Sequence, residues 1–229
     1  MTIGIIAAME LEMESLRNAM EEPRQETVGS ITFTCGTIGG KQVVAAVCGI
    51  GKVFAAMCAQ TMILRYAPDC IVNLGVAGSL TPELKVFDIA VAEQVCQHDM
   101  DTSALGDPVG LVSGVNRVYF PADETLVRLL GRLAEQEGFH HCTGTIASGD
   151  LFVHTPERKQ WIRETFGAVA AEMEGGSIGQ VCFVNGVPFA VLRTISDGEG
   201  GSMDYQTFAA QAAQNSIRVV LALIAAYGG

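Results

Sequence analysis

Short apolar runs alternate with segments of helical period along most of the chain. The first run, residues 3–8, has no polar face, and residues 9–20 then change period, with Leu11, Leu16 and Met20 loosely spaced as on one face of a helix. A strand that is buried on both faces has this continuous apolar pattern. We therefore predict a buried strand that leads directly into a helix.

The same alternation continues to the end of the chain. It predicts further strands at residues 31–38, 43–47, 70–74, 88–95, 142–147, 168–171 and 189–195, and helices at about residues 52–66, 122–137, 156–165, 176–184 and 204–227. Gly39-Gly40, between the first two of these strands, predicts a tight hairpin turn. Residues 99–121 carry glycine and proline without a sustained period, so we expect a long functional loop or a region of mixed structure there.

Strands that alternate with helices indicate an α/β fold with a mostly parallel sheet covered on both faces. The length of 229 residues fits one large α/β domain, and no linker, internal repeat or low-complexity segment divides residues 1–229. The hydrophobic share of 49% supplies enough apolar side chains for a sizeable core.

The net charge and the cysteine content limit the classes of binding partner and the cellular compartment that we expect for this protein. The chain has 14 Lys and Arg against 25 Asp and Glu, a net charge of −11 that repels nucleic acids and anionic membranes. Its seven cysteines are spread singly, which favours buried thiols in a reducing compartment. The start lacks the basic segment of a signal peptide, and the late apolar run at residues 219–226 is shorter than the ~18–20 residues of a membrane span. We expect a cytoplasmic protein with no nucleic-acid or membrane partner.

Glycine-rich turns follow several predicted strands without a phosphate-binding signature. Residues 36–41 and 49–52 lack the P-loop spacing, and no GxGxxG follows the first strand, so a dinucleotide cofactor is not indicated. Residues 49–52 and 75–78 come directly after buried strands, where ligands approach the backbone of an open sheet. We include these two predicted loops in a candidate site, with simple tight turns as the alternative.

Carboxylates follow three of the predicted strands in otherwise apolar surroundings, at residues 10–14, at residues 172–174 and at Asp197. Each has an ordinary alternative, because acids are common in the first turns of helices and in Asx turns. In a parallel sheet all three would emerge at the same carboxyl edge, where ligands bind. Such a cluster suggests proton transfer or recognition of sugar hydroxyls, with Arg193 as the nearest candidate counter-charge. The histidines show no metal-ligand spacing with these acids.

Several short segments carry a family resemblance along nearly the whole chain. They are IGIIAAMELE at 3–12, GIGKV at 49–53, NLGVAG at 73–78, VFDI at 86–89, HDMD at 98–101, SGDLF at 148–152, AEME at 171–174 and RTISD at 193–197. Together they closely resemble the bacterial 5′-methylthioadenosine/S-adenosylhomocysteine nucleosidases of the nucleoside phosphorylase superfamily. The resemblance implies a three-layer α/β fold with a mixed, twisted central sheet flanked by helices, and a homodimer.

The resemblance also implies a reaction: water irreversibly cleaves the N-glycosidic bond of adenine 5′-thionucleosides in methionine salvage, without a cofactor or metal. In this comparison Asp197 protonates N7 of adenine, and Glu12 orients or deprotonates the attacking water. Ser196 and Arg193 match residues that support the acid and the water site. The chemistry is consistent, because glycosyl cleavage passes through an oxocarbenium-like state and the leaving base must accept a proton. Desolvation beside the apolar run that ends at Asp197 raises the pKa of such an acid above the ordinary value of ~3.9.

The resemblance assigns the remaining contacts to the substrate. Glu174 holds the ribose hydroxyls beside Met173, the backbone at Phe152 and Val153 reads the adenine edge, and the Phe152 ring stacks on the base. Further substrate-binding positions implied by the comparison are Met9, Ile50, Ala77, Gly78, Glu172 and Phe208. From the partner subunit, Leu105 and Asp107 would reach the site.

Two segments depart from the family pattern. Many relatives have an aromatic-rich segment, roughly A-F-G-Y, after an HDxD motif, whereas this chain has ALGD at residues 104–107, which leaves the preferred 5′ substituent open. The glycine-rich residues 198–201 replace a Lys-Ala-Asp type of sequence, and we expect a mobile lid there, with Phe208 closing over the substrate.

Three alternatives remain at this stage: a purine nucleoside phosphorylase, a futalosine-type hydrolase, and a noncatalytic nucleoside-binding protein. Phosphate would have to bind near the first strand-helix turn, where Glu10, Glu12 and Glu14 would repel it. Hydrolysis is therefore favoured over phosphorolysis.

Overall fold

The computed structural model describes residues 1–198 and 202–228. The strands are β1 (Thr2–Ala7), β2 (Glu21–Val28), β3 (Ile31–Ile38), β4 (Lys41–Val47), β5 (Cys70–Ser79), β6 (Ile89–Gln97), β7 (Phe120–Pro121), β8 (His141–Ser148), β9 (Ala168–Glu172) and β10 (Phe189–Asp197). The helices are α1 (Glu14–Asn18), α2 (Lys52–Tyr66), α3 (Glu124–Gln136), α4 (Pro156–Phe166), α5 (Gly175–Asn185) and α6 (Ser202–Ala226), and short 3₁₀ turns cover Glu10–Glu12 and Ser103–Leu105.

The strands form one mixed sheet in the order β10-β6-β8-β9-β5-β1-β4-β3-β2, and β10 also pairs with β5. The pairs β1–β4, β1–β5, β5–β10, β6–β8 and β8–β9 are parallel, whereas β2–β3, β3–β4, β5–β9, β6–β7 and β6–β10 are antiparallel. The expectation of a mostly parallel sheet is therefore wrong, and the mixed sheet implied by the resemblance is confirmed. Tight turns join β2 to β3 and β3 to β4, which makes those pairs antiparallel.

Strand β2 is absent from the sequence prediction. Its residues, EEPRQETV, are polar and mostly exposed, and the strand pairs only with β3 at the edge of the sheet. An edge strand with no buried face leaves no hydrophobic periodicity, and proline is tolerated there. The hairpin predicted between β3 and β4 is present, with φ values of +55° and +76° at Gly39 and Gly40.

Helices cover both faces of the sheet. On one face, α2 and α5 pack on the apolar side that includes Ile6 of β1, and on the other face α1, α3 and α6 pack on the side that includes Ile3 and Ile5. Successive residues of β1 thus enter opposite cores, which explains the continuous apolar run at the start of the chain. The three-layer architecture is confirmed.

Helix α6 belongs to one of these layers. Over Met203–Ala226 it is long and apolar enough to cross a membrane by length and composition, and it alone among the helices of the described residues is so. Its side chains at Ala212, Ile217, Val220 and Leu223 are buried in the core with those of α3. The apolar character of α6 is therefore accounted for by packing within the fold.

Strand β5 is longer than the sequence prediction. It runs to Ser79, so residues 75–78 lie within a strand, and the expectation of a loop there is wrong. The glycines permit close approach instead of a turn: a Cβ on Gly75 would lie 2.7 Å from Glu12 Oε1, and one on Gly78 would lie 2.8 Å from Asp197 Oδ2. Two of the candidate acids therefore pack directly on this strand.

Candidate active site

A cavity of about 390 Å³ opens where β1, β5, β9 and β10 end. Its walls combine carboxylates, small residues and apolar side chains. They are formed by Ala8, Met9, Glu12, Ile50, Val76, Ala77, Gly78, Leu151, Phe152, Val153, Ala171, Glu172, Met173, Glu174, Ser196, Asp197 and Tyr205. The three groups of acids singled out in the sequence thus each contribute to one cavity, as the argument from the carboxyl edge expects.

Glu12 is held by backbone donors. The 3₁₀ turn after β1 carries it, its Oε2 accepts from the N–H groups of Ala8 at 3.1 Å and Met9 at 2.9 Å, and its Oε1 accepts from that of Val76 at 3.1 Å. Burial raises the pKa of the Glu12 carboxyl, while nearby Arg193 and the three backbone bonds oppose that shift. A carboxyl fixed in this way, with a raised pKa, is suited to accept a proton from a water molecule.

Arg193 lies behind the cavity wall and is fully buried. Its Nη2 donates to a carboxylate oxygen of Glu172 and, at 2.5 Å, to Asn73 Oδ1, and its Nη1 donates to the Asn73 carbonyl at 3.2 Å. The Arg193 Nη2 atom is also 3.9 Å from Glu174 Oε2. Arg193 is therefore a counter-charge of the acid cluster, as expected, and the carboxylates that it pairs with are those of Glu172 and Glu174.

Glu172 organises the turn between β9 and α5. In addition to Arg193 and the Ser148 hydroxyl, its carboxylate accepts from the N–H of Glu174 at 3.1 Å and from that of Gly175 at 2.8 Å. These bonds fix the backbone from which the Glu174 side chain projects. Glu172 thus supports the position of the next acid as well as lining the cavity.

Glu174 connects this turn to the loop before α2. Its Oε1 accepts from the Gly51 N–H at 2.9 Å, where Gly51 has a φ of +99° that only glycine adopts readily. Burial and the neighbouring Glu172 raise the pKa of Glu174 to about 7, against the opposing influence of Arg193. The loop at residues 49–52 therefore reaches the site through a backbone donor and through Ile50.

Asp197 ends β10 and is almost fully buried. The Ser196 hydroxyl donates to its Oδ1 at 3.0 Å, and its Oδ2 has no hydrogen bond within residues 1–198 and 202–228. Lys159 Nζ is 3.6 Å from Oδ2, a cation that sequence reasoning missed. Burial raises the pKa of Asp197, with Lys159 and the Ser196 bond opposing. A buried carboxyl of this kind can hold a proton for transfer.

The aromatic wall differs from the expectation. Phe152 lines the cavity beside Tyr205, with ring centroids 5.5 Å apart, and the Tyr205 hydroxyl is 3.4 Å from Met9 Sδ. Phe208 does not line the cavity; its ring packs edge-on against Phe87 at 5.5 Å. The aromatic residue that reaches the cavity from α6 is therefore Tyr205, one helical turn earlier than expected.

The two residues expected to act in the partner's site, and the described part of the expected lid, are not part of this cavity. Leu105 is 84% exposed, and Asp107 accepts a hydrogen bond from the Thr102 hydroxyl at 2.8 Å, so neither lines the cavity of its own chain. The expected lid includes residues 199–201, which lie outside the described residues. In the described part of the chain, no three His, Cys, Asp or Glu side chains are grouped as metal ligands.

Comparison with known proteins relates this site to a family. The sequence profile of the phosphorylase superfamily matches residues 2–225. A 5′-methylthioadenosine/S-adenosylhomocysteine nucleosidase of Geobacillus thermodenitrificans is 37% identical over 228 residues, which are 98% of this chain and 96% of the relative. The chain belongs to this nucleosidase family within the phosphorylase superfamily.

Solved structures agree with that assignment. The nucleosidase of Neisseria meningitidis, determined in complex with methylthio-immucillin-A, superposes with a TM-score of 0.93 at 36% identity, over 97% of this chain and 98% of the other. A futalosine hydrolase of Helicobacter pylori superposes equally well, with a TM-score of 0.93 at 35% identity, over 98% of this chain and 97% of the other. The family resemblance found in the sequence is confirmed, and this nucleosidase is an N-ribosyl hydrolase.

The buried pair of Arg193 and Glu172 yields a stability prediction for this nucleosidase. Glu172→Ala leaves the guanidinium buried without its main partner, and we expect a loss of about 3–5 kcal/mol in the free energy of unfolding. The double variant Arg193→Met, Glu172→Met removes both charges and should lose much less. Urea denaturation of each variant measures the difference.

Glu10→Ala is the matched control, because Glu10 forms an exposed ion pair with Arg17. Its loss should be at most about 1 kcal/mol. A double variant at least as unstable as Glu172→Ala would contradict the proposed dependence of Arg193 on its partner.

Proposed function

We propose that this chain hydrolyses the N-glycosidic bond of 5′-methylthioadenosine and S-adenosylhomocysteine, and of 5′-deoxyadenosine, releasing adenine and the 5-substituted ribose. The observation that carries the proposal is that Glu12 and Asp197 line one cavity while packing on Gly75 and Gly78 of β5. Three residues of a strand span about 10 Å. That spacing leaves room for a sugar-base linkage between two carboxyl groups.

Asp197 is the proton donor in this proposal. As the C1′–N9 bond breaks, its electron pair leaves with adenine, and positive charge grows on the ribose. Protonation of N7 by Asp197 makes the base a better leaving group. The raised pKa of Asp197 supports this role, and Ser196 occupies Oδ1 and leaves Oδ2 for the substrate.

Glu12 activates the water. Its carboxylate is oriented by the N–H groups of Ala8, Met9 and Val76, so that a water molecule beside it can be deprotonated as it attacks C1′. The same three donors are the groups that a phosphate ion would need at this turn. Because the Glu12 carboxylate already occupies them, and because it repels anions, water is favoured over phosphate as the nucleophile.

The remaining walls suit an adenine nucleoside. Glu174 and Met173 face the ribose, the Phe152 ring stacks on adenine, and the Phe152 and Val153 backbone reads the edge of the base. The 5′ substituent extends toward Met9 and Ile50, as well as toward the partner subunit. We place the reaction in methionine salvage, on the strength of the substrates named for the relatives.

A futalosine-type substrate is the second candidate. The similarity to the Helicobacter pylori hydrolase is as strong as that to the nucleosidases, and the segment at residues 104–107 lacks the aromatic side chains common in the family. A noncatalytic nucleoside-binding protein is less well supported, because each of the three groups of acids contributes to the cavity, through Glu12, Glu174 and Asp197.

We further propose a cytoplasmic homodimer. Val53, Phe54 and Met57 of α2 are exposed large apolar residues, and exposed Ile50 joins this face to the mouth of the cavity. Contiguous exposed apolar patches mark association surfaces. In such a dimer Leu105 would reach the partner's cavity, with Asp107 beside it. Free cysteines throughout the chain support a reducing compartment.

Removing either acid tests the mechanism. We expect Asp197→Asn and Glu12→Gln each to lower the rate of adenine release from methylthioadenosine by about 10²–10⁴-fold, because each variant lacks the proton donor or the base. Glu14→Gln, two residues after Glu12 and exposed, is the control and should keep ordinary activity. Near-normal turnover by either acid variant, with circular dichroism unchanged, would refute the assignment.

A panel of 5′-modified nucleosides tests the substrate. Free adenine should appear from methylthioadenosine, adenosylhomocysteine and 5′-deoxyadenosine in phosphate-free buffer, at rates that added phosphate does not increase. A strict dependence on phosphate would identify a phosphorylase. A specificity constant at least tenfold higher for futalosine-type nucleosides would favour the second candidate, and tight binding without product would indicate a noncatalytic protein.

Disrupting the apolar face of α2 tests the dimer. Met57→Lys places a charge in the centre of that face, so we expect the molar mass from light scattering to fall to that of one chain. Activity should fall with it, because the cavity would lose the partner's segment. Gln136→Lys, exposed on α3 in the opposite layer, is the control; an unchanged mass for Met57→Lys would argue against this interface.

A further inference from the structure

Among the described residues, Lys159 carries the only cationic group within 4 Å of Asp197. It lies on α4, and its side chain is largely buried, at 14% exposure. Its Nζ donates to the Gly198 carbonyl at 2.6 Å and is 3.6 Å from Asp197 Oδ2. A lysine gives up much of its hydration in such a position, so its charge acts strongly on the neighbouring carboxyl.

The other groups that face Asp197 do not replace this cation. From β10, the Ser196 hydroxyl binds Oδ1, and from α6, Asp204 contributes a negative charge and Tyr205 a neutral phenol. Oδ2 has no hydrogen bond within the described residues, and the Lys159 ammonium group lies 3.6 Å from it. The cation therefore stands beside the oxygen that is left for proton transfer.

We infer that Lys159 is a positioning residue for the acid: its ammonium group stabilises the carboxylate that remains on Asp197 after the proton has passed to the base. Its hydrogen bond to the Gly198 carbonyl holds the end of β10 against α4. This inference rests on the proposed function, in which Asp197 is the proton donor. The family resemblance assigns no role to any residue of α4, so it does not imply this one.

The proton and electron changes balance without a further reactant. The Asp197 proton goes to adenine N7, the C1′–N9 electron pair leaves with adenine, the hydroxyl of water bonds to C1′, and the other water proton goes to Glu12. Exchange with solvent then returns Asp197 to its protonated form and Glu12 to its ionised form. Negative charge thus appears on Asp197 during the step, where preorganised positive charge is most effective.

Burial and Lys159 act in opposite directions on the acid. Burial raises the pKa of Asp197, and Lys159 is the largest opposing influence. Without the cation the carboxyl would keep its proton to higher pH and release it less readily to the base. Loss of Lys159 should therefore lower the maximal rate and move the alkaline limb of the pH–rate profile upward, a combination that a purely structural role would not produce.

The experiment compares Lys159→Met, Lys159→Gln and Lys159→Arg in adenine release across the pH range. We expect Lys159→Met and Lys159→Gln to lower kcat by about 10–100-fold, with KM within about twofold and the alkaline limb shifted upward by roughly one pH unit. Lys159→Arg should restore most of kcat and the original limb. Gln keeps a donor for the Gly198 carbonyl, so it separates loss of charge from loss of the hydrogen bond and serves if the Met variant folds poorly.

Lys85→Met is the charge control, because Lys85 is exposed and lines a second cavity together with Lys159. Its profile should match the parent. An unshifted alkaline limb in both neutral Lys159 variants, or an Arg variant as slow as Met, would overturn the inference. If Asp197→Asn is inactive while the Lys159 profiles match the parent, only this inference fails; if Asp197→Asn is active, the proposed function fails with it.

Discussion

Burial of carboxyl groups at one edge of the sheet is the constraint on which this site depends. An ionised carboxylate is strongly disfavoured in a dry interior unless hydrogen bonds or an opposite charge compensate for the lost water. The compensation differs from group to group: Glu172 has Arg193 and two backbone N–H groups, Glu12 has three backbone donors, and Asp197 has one hydroxyl and a lysine outside hydrogen-bond distance. Identical or similar side chains thereby acquire different proton affinities, which is how one site can hold both an acid and a base.

Strand β5 makes this arrangement possible. It pairs with β1, β9 and β10, so the segments that carry the acids arrive from its neighbours. Gly75 and Gly78 have no side chain that would exclude the Glu12 and Asp197 carboxyls. Between these glycines, the backbone N–H of Val76 donates a hydrogen bond to Glu12. Any larger residue at either glycine would have to displace a carboxyl group or the strand, so the composition of β5 and the position of the acids are coupled.

The sequence was sufficient for the parts of the molecule that carry a local pattern. Buried strands, the hairpin at Gly39 and the acids at strand ends follow from hydrophobic period and from position along the chain. Edge strand β2 leaves no such period because it has no buried face. The end of β5 cannot be located from its glycines, because glycine marks both turns and close backbone approach. The sequence does not distinguish Tyr205 from Phe208 as the aromatic residue at the cavity, because the packing of α6 decides which of its turns reaches the cavity.

The counter-charges illustrate the same limit most clearly. Arg193 and Asp197 share β10, but four residues of a strand span about 13 Å. The guanidinium therefore binds Asn73 of β5 and Glu172 of β9 and not the acid at the end of its own strand. The cation beside the acid comes from α4, 38 positions earlier in the chain, and only the packing of that helix brings it there. The sheet therefore fixes where the acids are, whereas a helix outside the buried network modulates one of them. A substitution on α4 can change the surroundings of Asp197 while the hydrogen bonds around Arg193 and Glu172 stay intact.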